Sequence, residues 1–354
     1  MTTGTATDAG AMERQSDLPT VTIVLLVYNR RDELRRTLIE MLEGCDYDSD
    51  LIDVVVVDNA SEDGSAEMVR AEFPQVQLIR REVNCGISGW NDGFAVAKGD
   101  LVLVLDDDCY LPGDRLRRAI ASMQEHEADM VSFSVIAADD PEHRFDLGYK
   151  TGLLTFWGCA ALIRRSVLDE VGGFDPEIFV WAHELEFMIR FYDKGFRHLH
   201  LPEVTAIHMK DPTTLPGFSY YGSPTYRFNA RNFGYVAAKH LRLRDACEAL
   251  VALLATNVRH AIRIEPAEFS VVRDTLAGFA RGLRHREAVQ NRDLSRAYRR
   301  NFHDFASPWW FSRPPREWLR RRDPGSPPPG RGDEYFETRR RFYPERAATL
   351  QFPR

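Results

Sequence analysis

The sequence predicts an α/β protein built on a mainly parallel sheet and carrying a helical C-terminal extension. Three observations lead there. Apolar runs rich in β-branched residues recur at VTIVLLV (residues 21–27), LIDVVVV (51–57) and LVLVL (101–105). Segments with helical patterning, RDELRRTLIEMLE and SAEMVRAEF, fall between them. From about Tyr226 to about Phe305 the pattern is helical and rich in arginine. Parallel strands need crossover helices and lie buried on both faces, so they read as continuous apolar runs instead of alternating ones.

Residues 1–19 are polar and small, without the basic start and apolar run of a secretory signal, and are expected to form a loose tail. One domain is expected over residues 20–215. Its first strand runs into Tyr28 and Asn29, VQLI at 76–79 supplies the third strand of a βαβαβ unit, and ISGWNDGFAVAKG leads into LVLVL. Beyond Asp108 the rhythm changes to a helix near 113–125, a strand near 130–136 and the glycine- and aromatic-rich stretch LGYKTGLLTFWGCAALI. HELEFMIRFYDK at 183–194 sets Leu185, Met188, Ile189 and Tyr192 at helical spacing, with Gly195 as a natural stop. The extension covers 216–354 and includes a proline-rich stretch at 313–330, whose prolines cannot sit inside helices or central strands and so predict a linker or an extended arm. The residues from Asp333 onward are expected to form a short terminal helix.

With 354 residues, 44% of them apolar, the chain can bury a sizeable core. Five scattered cysteines with no CxxC pair suggest neither a disulfide framework nor a zinc site, which fits a reducing cytosol. The apolar run at 249–255 is far short of the roughly 20 residues that span a bilayer. A cytoplasmic location is therefore expected. The net charge of −7 hides an asymmetry, because residues 1–230 carry −18 and residues 231–354 carry +11.

LVLVLDDDCYL is the most informative stretch: an apolar strand ends abruptly in Asp106, Asp107 and Asp108. Adjacent carboxylates at a strand's C-terminal end repel one another, a bound cation relieves the repulsion, and ligands of open α/β sheets bind outside that end. A solvated acidic turn is the plain alternative, and the buried strand before it weighs against that. In VVVVDNASEDGS, Asp58 ends a run of four valines, where a carboxylate can accept hydrogen bonds from a base or ribose; Asp63 and Ser65, just before a helix, also suit ordinary capping. The loop NCGISGWNDGFAVAKGD offers close backbone approach at its glycines and amide groups at Asn84 and Asn91, without matching a dinucleotide fingerprint.

In order, these stretches resemble the family 2 inverting glycosyltransferases over roughly residues 20–210. The family's Tyr-Asn pair reads here as Tyr28 and Asn29, its DN-x-S-x-DGS loop as Asp58 to Ser65, and its N-x-G segments leading to a D-x-D triplet as Asn84 to Asp108. The resemblance implies a GT-A type, Rossmann-like domain and a nucleotide-sugar site lined by Tyr28, Asn29, Asp58, Asn84, Gly86, Asn91, Asp106 and Asp107. It also implies Mg²⁺ or Mn²⁺ held by Asp106, Asp108 and His208. Oxygen ligands favour either ion, which would stabilise the charge growing on the leaving nucleoside diphosphate. The family's GGFDE-x-F…ED-x-D-x-x-x-R motif reads here GGFDPEIFVWAHELEFMIR; aligning Arg190 puts Glu184 at the catalytic carboxylate, with His183 and Glu186 replacing its acidic neighbours. His183 thus stands as a rival for the base role. Further departures are Leu26 and Val27 before Tyr28, and Trp90 where an arginine often stands. Trp157 and Trp181 would flank the acceptor, or equally serve the core.

Two other readings stay open on sequence alone. A D-x-D phosphatase of the haloacid-dehalogenase type places its motif on the first strand, whereas at least three strands precede Asp106 here. A nucleotide-sugar-binding protein that has lost catalysis would account for His183. The acceptor class implied is a glycan, a lipid-linked molecule or a small molecule. The basic extension lacks a nucleic-acid motif, so no nucleic-acid partner is expected, while peripheral contact with the inner face of the membrane, wrapping of the catalytic domain and dimerisation are all open uses of it.

Overall fold

The computed structural model describes residues 18–139, 155–156, 158–209, 224–263 and 269–306. The expected tail, proline-rich stretch and terminal helix, and Trp157, lie outside these residues.

The four runs of the first half become strands β1 (Val21–Val27), β2 (Ile52–Asp58), β3 (Gln77–Arg80) and β4 (Leu101–Asp106). They pair in parallel in the order β3-β2-β1-β4. Helices α1 (Arg31–Leu42), α2 (Ser65–Glu72) and α3 (Trp90–Val96) make the crossovers. Strand β1 shows why these runs do not alternate: Ile23 and Leu25 join one buried cluster and Val24 the other, so both faces are covered.

The second half contributes β5 (Cys109–Tyr110), α4 (Arg115–Glu125), β6 (Met130–Ala137), β7 (Ala160–Arg164), α5 (Arg165–Val171), α6 (His183–Asp193) and β8 (His198–His208). Here the expected mainly parallel arrangement gives way to a mixed one, with β7 antiparallel to both β4 and β6, and β5 antiparallel to β8. The complete order is β3-β2-β1-β4-β7-β6-β8-β5. Apolar content does not record strand direction: AALIR of β7 is as buried as the parallel strands β1 and β4. Gly195 ends α6 with φ of +80°, as its position predicts.

The extension supplies α7 (Pro224–His240), α8 (Leu243–Arg263), α9 (Ser270–Arg284) and α10 (Arg292–Ala306). It is not a separate body. Tyr235, Leu253, Tyr298 and Phe302 share one buried cluster with Val24, Val104 and Phe187 of the sheet and α6, so the core runs across the boundary expected at residue 215. A buried ionic network follows the same seam. Glu186 of α6 receives Arg190 Nη2 at 2.7 Å, His240 Nε2 at 2.8 Å and Lys239 Nζ at 3.3 Å. Asp175 receives Lys239 Nζ and the Tyr235 hydroxyl, both at 2.8 Å. Burial alone would push the Glu186 carboxyl up, but Arg190 and His240 hold it well below the usual carboxylate range.

Helices α7 and α9 cross backbone to backbone through glycines. A Cβ at Gly278 would stand 1.9 Å from the Arg231 carbonyl oxygen, and one at Gly282 2.2 Å from that of Tyr235. No described helix is long and apolar enough to cross a membrane. We expect Gly278→Val to force α7 and α9 apart and to lower unfolding stability by about 3 kcal/mol, measured by urea denaturation. A loss no larger than for an exposed alanine would show the crossing to be dispensable.

Candidate active site

Strand β4 delivers Asp106 to the C-terminal edge of the sheet, and Asp107 and Asp108 follow in the turn into β5. Pairing of β5 with β8 then sets Cys109 opposite His208, and the Met209 N–H donates to the Asp108 carbonyl at 2.9 Å. The backbone ladder thereby brings His208 Nε2 to 3.4 Å from Asp108 Oδ1. One ligand atom each from Asp106, Asp108 and His208 lies within 4.8 Å of the others. Asp108 is 1% exposed, and its Oδ1 accepts no hydrogen bond. Burial, and the neighbouring Asp108, push the Asp106 carboxyl above its usual range. A buried cluster of two carboxylates and an imidazole, with a carboxylate oxygen left unsatisfied, fits a hard or borderline divalent cation.

Asp107 points elsewhere. Its Oδ1 accepts from Arg30 Nη1 at 3.2 Å, and its backbone carbonyl from Thr37 Oγ1 at 2.8 Å. Arg30 also pairs with Asp108 Oδ2. Nothing in the local sequence marked Arg30, because its partners lie far along the chain.

The first two strand-end loops are stitched together around Asn29, which takes φ of +54°. Its N–H donates to Ser61 Oγ at 3.0 Å, and its Oδ1 accepts from the Glu62 N–H at 2.8 Å. Asp63 accepts from the N–H groups of Arg31 and Ser65 at 2.8 and 3.0 Å, so it ties the loop to the first residue of α2, whose N-cap is Gly64. Asp58 is fully buried; Oδ1 accepts from the Ser61 N–H at 2.9 Å, while Oδ2 accepts no hydrogen bond and has the Arg80 guanidinium at 3.5 Å. Tyr28, at the mouth of this loop pair, is 47% exposed.

Three of the predicted nucleotide-site residues are engaged in holding backbone. Asn84 Oδ1 accepts from Asn59 Nδ2 and from the Gly86 N–H, both at 2.8 Å. Gly86 has φ of +64°, and a Cβ there would meet the Phe179 carbonyl oxygen at 1.9 Å. Asn91 donates to the Phe174 carbonyl at 2.8 Å and accepts from the Phe174 N–H at 2.7 Å, clamping the GGFD loop. These bonds give Asn84, Gly86 and Asn91 positioning roles.

Helix α6 starts after two consecutive left-handed residues, Trp181 and Ala182, with φ of +68° and +64°. Such backbone is strained for residues with a Cβ and persists where its surroundings fix it. Asn232 of α7 does so, donating from Nδ2 to the carbonyls of Val180 and Trp181 at 2.7 and 3.0 Å. The first turn of α6 then holds three titratable groups with different surroundings. His183 is boxed by Trp90 and Phe174, with ring centroids 6.2 and 4.9 Å away, and burial lowers its pKa to about 3. Glu186 is consumed by the buried network. Glu184 keeps a side chain 18% exposed, accepts a long bond from the Gly158 N–H at 3.2 Å and has His183 Nδ1 at 3.2 Å from its Oε2; burial pushes its carboxyl up to about 7. Its charge also contributes, as the smallest cause, to raising Asp106. Gly158 was not singled out by the sequence, yet a Cβ there would lie 2.5 Å from Glu184 Oε1 and 2.9 Å from His183 Nε2. Trp181 is partly exposed beside this turn.

A family model described as glycosyl transferase family 2 matches residues 22–172, and another described as glycosyl transferase family group 2 matches residues 101–312. The chain is 32% identical over 118 residues to an undecaprenyl-phosphate 4-deoxy-4-formamido-L-arabinose transferase of Aeromonas hydrophila, covering 32% of this chain and 36% of that protein. It is 26% identical over 229 residues to the probable glycosyltransferase YdaM of Bacillus subtilis, covering 57% and 53% respectively. The chain thus spans about a third of the first relative's length and about half of the second's. A solved structure of GalNAc-T7 with UDP, GalNAc and Mn²⁺ superposes with a TM-score of 0.53 at 16% identity, covering 76% of this chain and 56% of that one, a likeness of fold.

The boxed imidazole has a consequence for stability. Its pKa falls from the ordinary 6.5 to about 3 in the folded state, so the unfolded chain binds more protons below pH 6.5 and stability drops as pH falls from there toward 3. The slope contributed is at most about 1.4 kcal/mol per pH unit. We expect His183→Phe to flatten this part of the stability profile in denaturation measured between pH 4.5 and 7. An unchanged slope would mean that His183 is not held neutral.

Proposed function

The chain belongs to glycosyl transferase family 2, and from that premise we propose that it moves a sugar, with inversion, from a UDP- or dTDP-sugar to an acceptor hydroxyl in a reaction that depends on Mg²⁺ or Mn²⁺. The observation that carries this reading is the convergence of Asp106, Asp108 and His208 at the sheet edge, with Asp108 Oδ1 buried and unsatisfied. When bound there, the divalent cation supplies Lewis-acid stabilisation of the negative charge that gathers on the leaving diphosphate. Asp58 Oδ2 offers an acceptor for the nucleoside base, and Tyr28 an exposed ring beside it. Glu184 accepts the proton of the acceptor hydroxyl as that oxygen bonds to the anomeric carbon and the bond to the diphosphate breaks on the opposite side. A general base works best with a pKa near the working pH, and burial places Glu184 there. His183, held neutral by its burial, and Glu186, bonded to Arg190, Lys239 and His240, are poorer candidates.

The Aeromonas relative is named for undecaprenyl phosphate, which favours a lipid-linked acceptor over a free glycan or a small molecule. A location at the inner face of the membrane through peripheral contact follows from that choice, and the arginine-rich helices α7 to α10 would provide the contact or a dimer interface.

Two variants test the assignment. Glu184→Gln should keep donor and metal affinity in calorimetry but lose about 10²- to 10⁴-fold in transfer. The wild-type rate should climb as pH rises through about 7, because the base acts ionised, and the variant should lack that limb. Normal transfer by Glu184→Gln would overturn the base assignment. Asp108→Asn should abolish metal-dependent binding of a nucleoside diphosphate while its melting temperature stays near that of the wild type. Full activity of the folded Asp108→Asn variant in EDTA would sink the metal dependence.

A further inference from the structure

Arg30 lies immediately before the first residue of α1, where the helix dipole favours anions, and it makes no side-chain cap there. A guanidinium at that place needs another reason. Its reach supplies one: Nη1 donates to Asp107 Oδ1 at 3.2 Å and to Asp108 Oδ2. Of the two Asp108 oxygens, one therefore belongs to Arg30 and the other is the unsatisfied atom facing His208. Removing one partner of a buried ion pair leaves an uncompensated charge, so Asp107 and Asp108 depend on this cation. Arg30 itself is not locked in, since its side chain is 47% exposed and leaves from a loop residue at the mouth of the site.

We propose that Arg30 is a built-in counter-ion of the Asp107–Asp108 pair that competes with a divalent cation for the charge of Asp108. The inference rests on the metal site put forward above. A doubly charged ion at the open Asp108 Oδ1, reaching Asp106 and His208 as well, shares that carboxylate with the guanidinium on Oδ2 and is repelled by it. The device keeps the buried acids compensated between turnovers and sets the affinity for free metal below what the ligands alone would give.

Mn²⁺ alone is the probe. Electron paramagnetic resonance of unbound Mn²⁺ is read during titration of the wild type, Arg30→Met and the double variant Arg30→Met/Asp107→Asn, with Asp108→Asn as the control. We expect both Arg30 variants to bind Mn²⁺ roughly tenfold tighter than the wild type. The melting temperature of Arg30→Met should fall in EDTA and recover in saturating Mn²⁺, which a merely structural ion pair would not show. The double variant removes the orphaned acid as well, so it reports even where Arg30→Met fails to fold. Wild-type binding lost in Asp108→Asn but unchanged or weakened in the Arg30 variants overturns the counter-ion role and leaves the metal site standing. Absence of Mn²⁺ binding in all of them, or equal binding by Asp108→Asn, overturns the metal site and the counter-ion role together.

Discussion

Negative charge buried at the C-terminal edge of the sheet is the constraint around which this molecule is arranged. Isolated ionised carboxylates cannot stay buried without compensation, and two clusters meet that demand differently. Glu186 and Asp175 are surrounded by Arg190, Lys239, His240 and Tyr235, all from the protein, and their hydrogen bonding is complete. Asp106, Asp107 and Asp108 have Arg30 and His208, and an Asp108 oxygen remains without a hydrogen bond. The first cluster is finished as folded. The second leaves a buried carboxylate oxygen open, which is a sound physical mark of a ligand site in a sheet of this topology.

The two clusters are mechanically joined through α6. Its N-terminal turn carries Glu184 toward Asp106, while Glu186, two residues on, is gripped by α7 through Lys239 and His240. Asn232 of the same helix holds the left-handed turn from which α6 departs. The C-terminal helices therefore do more than cover a face of the sheet: they determine where the Glu184 carboxyl stands. Glycines at the α7–α9 crossing let these helices approach closely, so packing far from the sheet edge is transmitted to the first turn of α6 through rigid elements.

What could be read in the sequence follows from how local its causes are. Strands β1, β2 and β4 declare themselves by continuous apolar runs, because burial on both faces is a property of each strand alone. Asp106, Asp108 and His208 were legible as strand-end residues of a recognisable motif order, and Glu184 through the register set by Arg190. The direction of β7 was not legible, since an apolar pentapeptide looks the same either way. Arg30, Gly158 and Asn232 were missed for a related reason: each matters through a partner 26 or more residues away, Arg30 through Asp107 and Asp108, Gly158 through Glu184 and Asn232 through Val180 and Trp181. Asn91 was read as a ligand-facing amide, and spacing cannot reveal that it also bonds in both directions with the Phe174 backbone.

The first turn of α6 shows how burial can sort chemically similar groups. Three titratable residues within four positions begin with ordinary pKa values between about 4 and 6.5. Apolar walls from Trp90 and Phe174 remove the proton from His183, cations remove it from Glu186, and burial with one weak donor leaves Glu184 near neutrality. A histidine in place of an acid at position 183 is tolerable on these terms. An acidic side chain in that aromatic box would be a second buried carboxyl beside Glu184 and would compete with it for the proton, whereas a neutral imidazole adds no charge to a site already crowded with carboxylates. The departure from the family's acidic pair thus leaves a single carboxyl near neutrality in this turn, the one whose neighbour, Gly158, is small enough to leave it room.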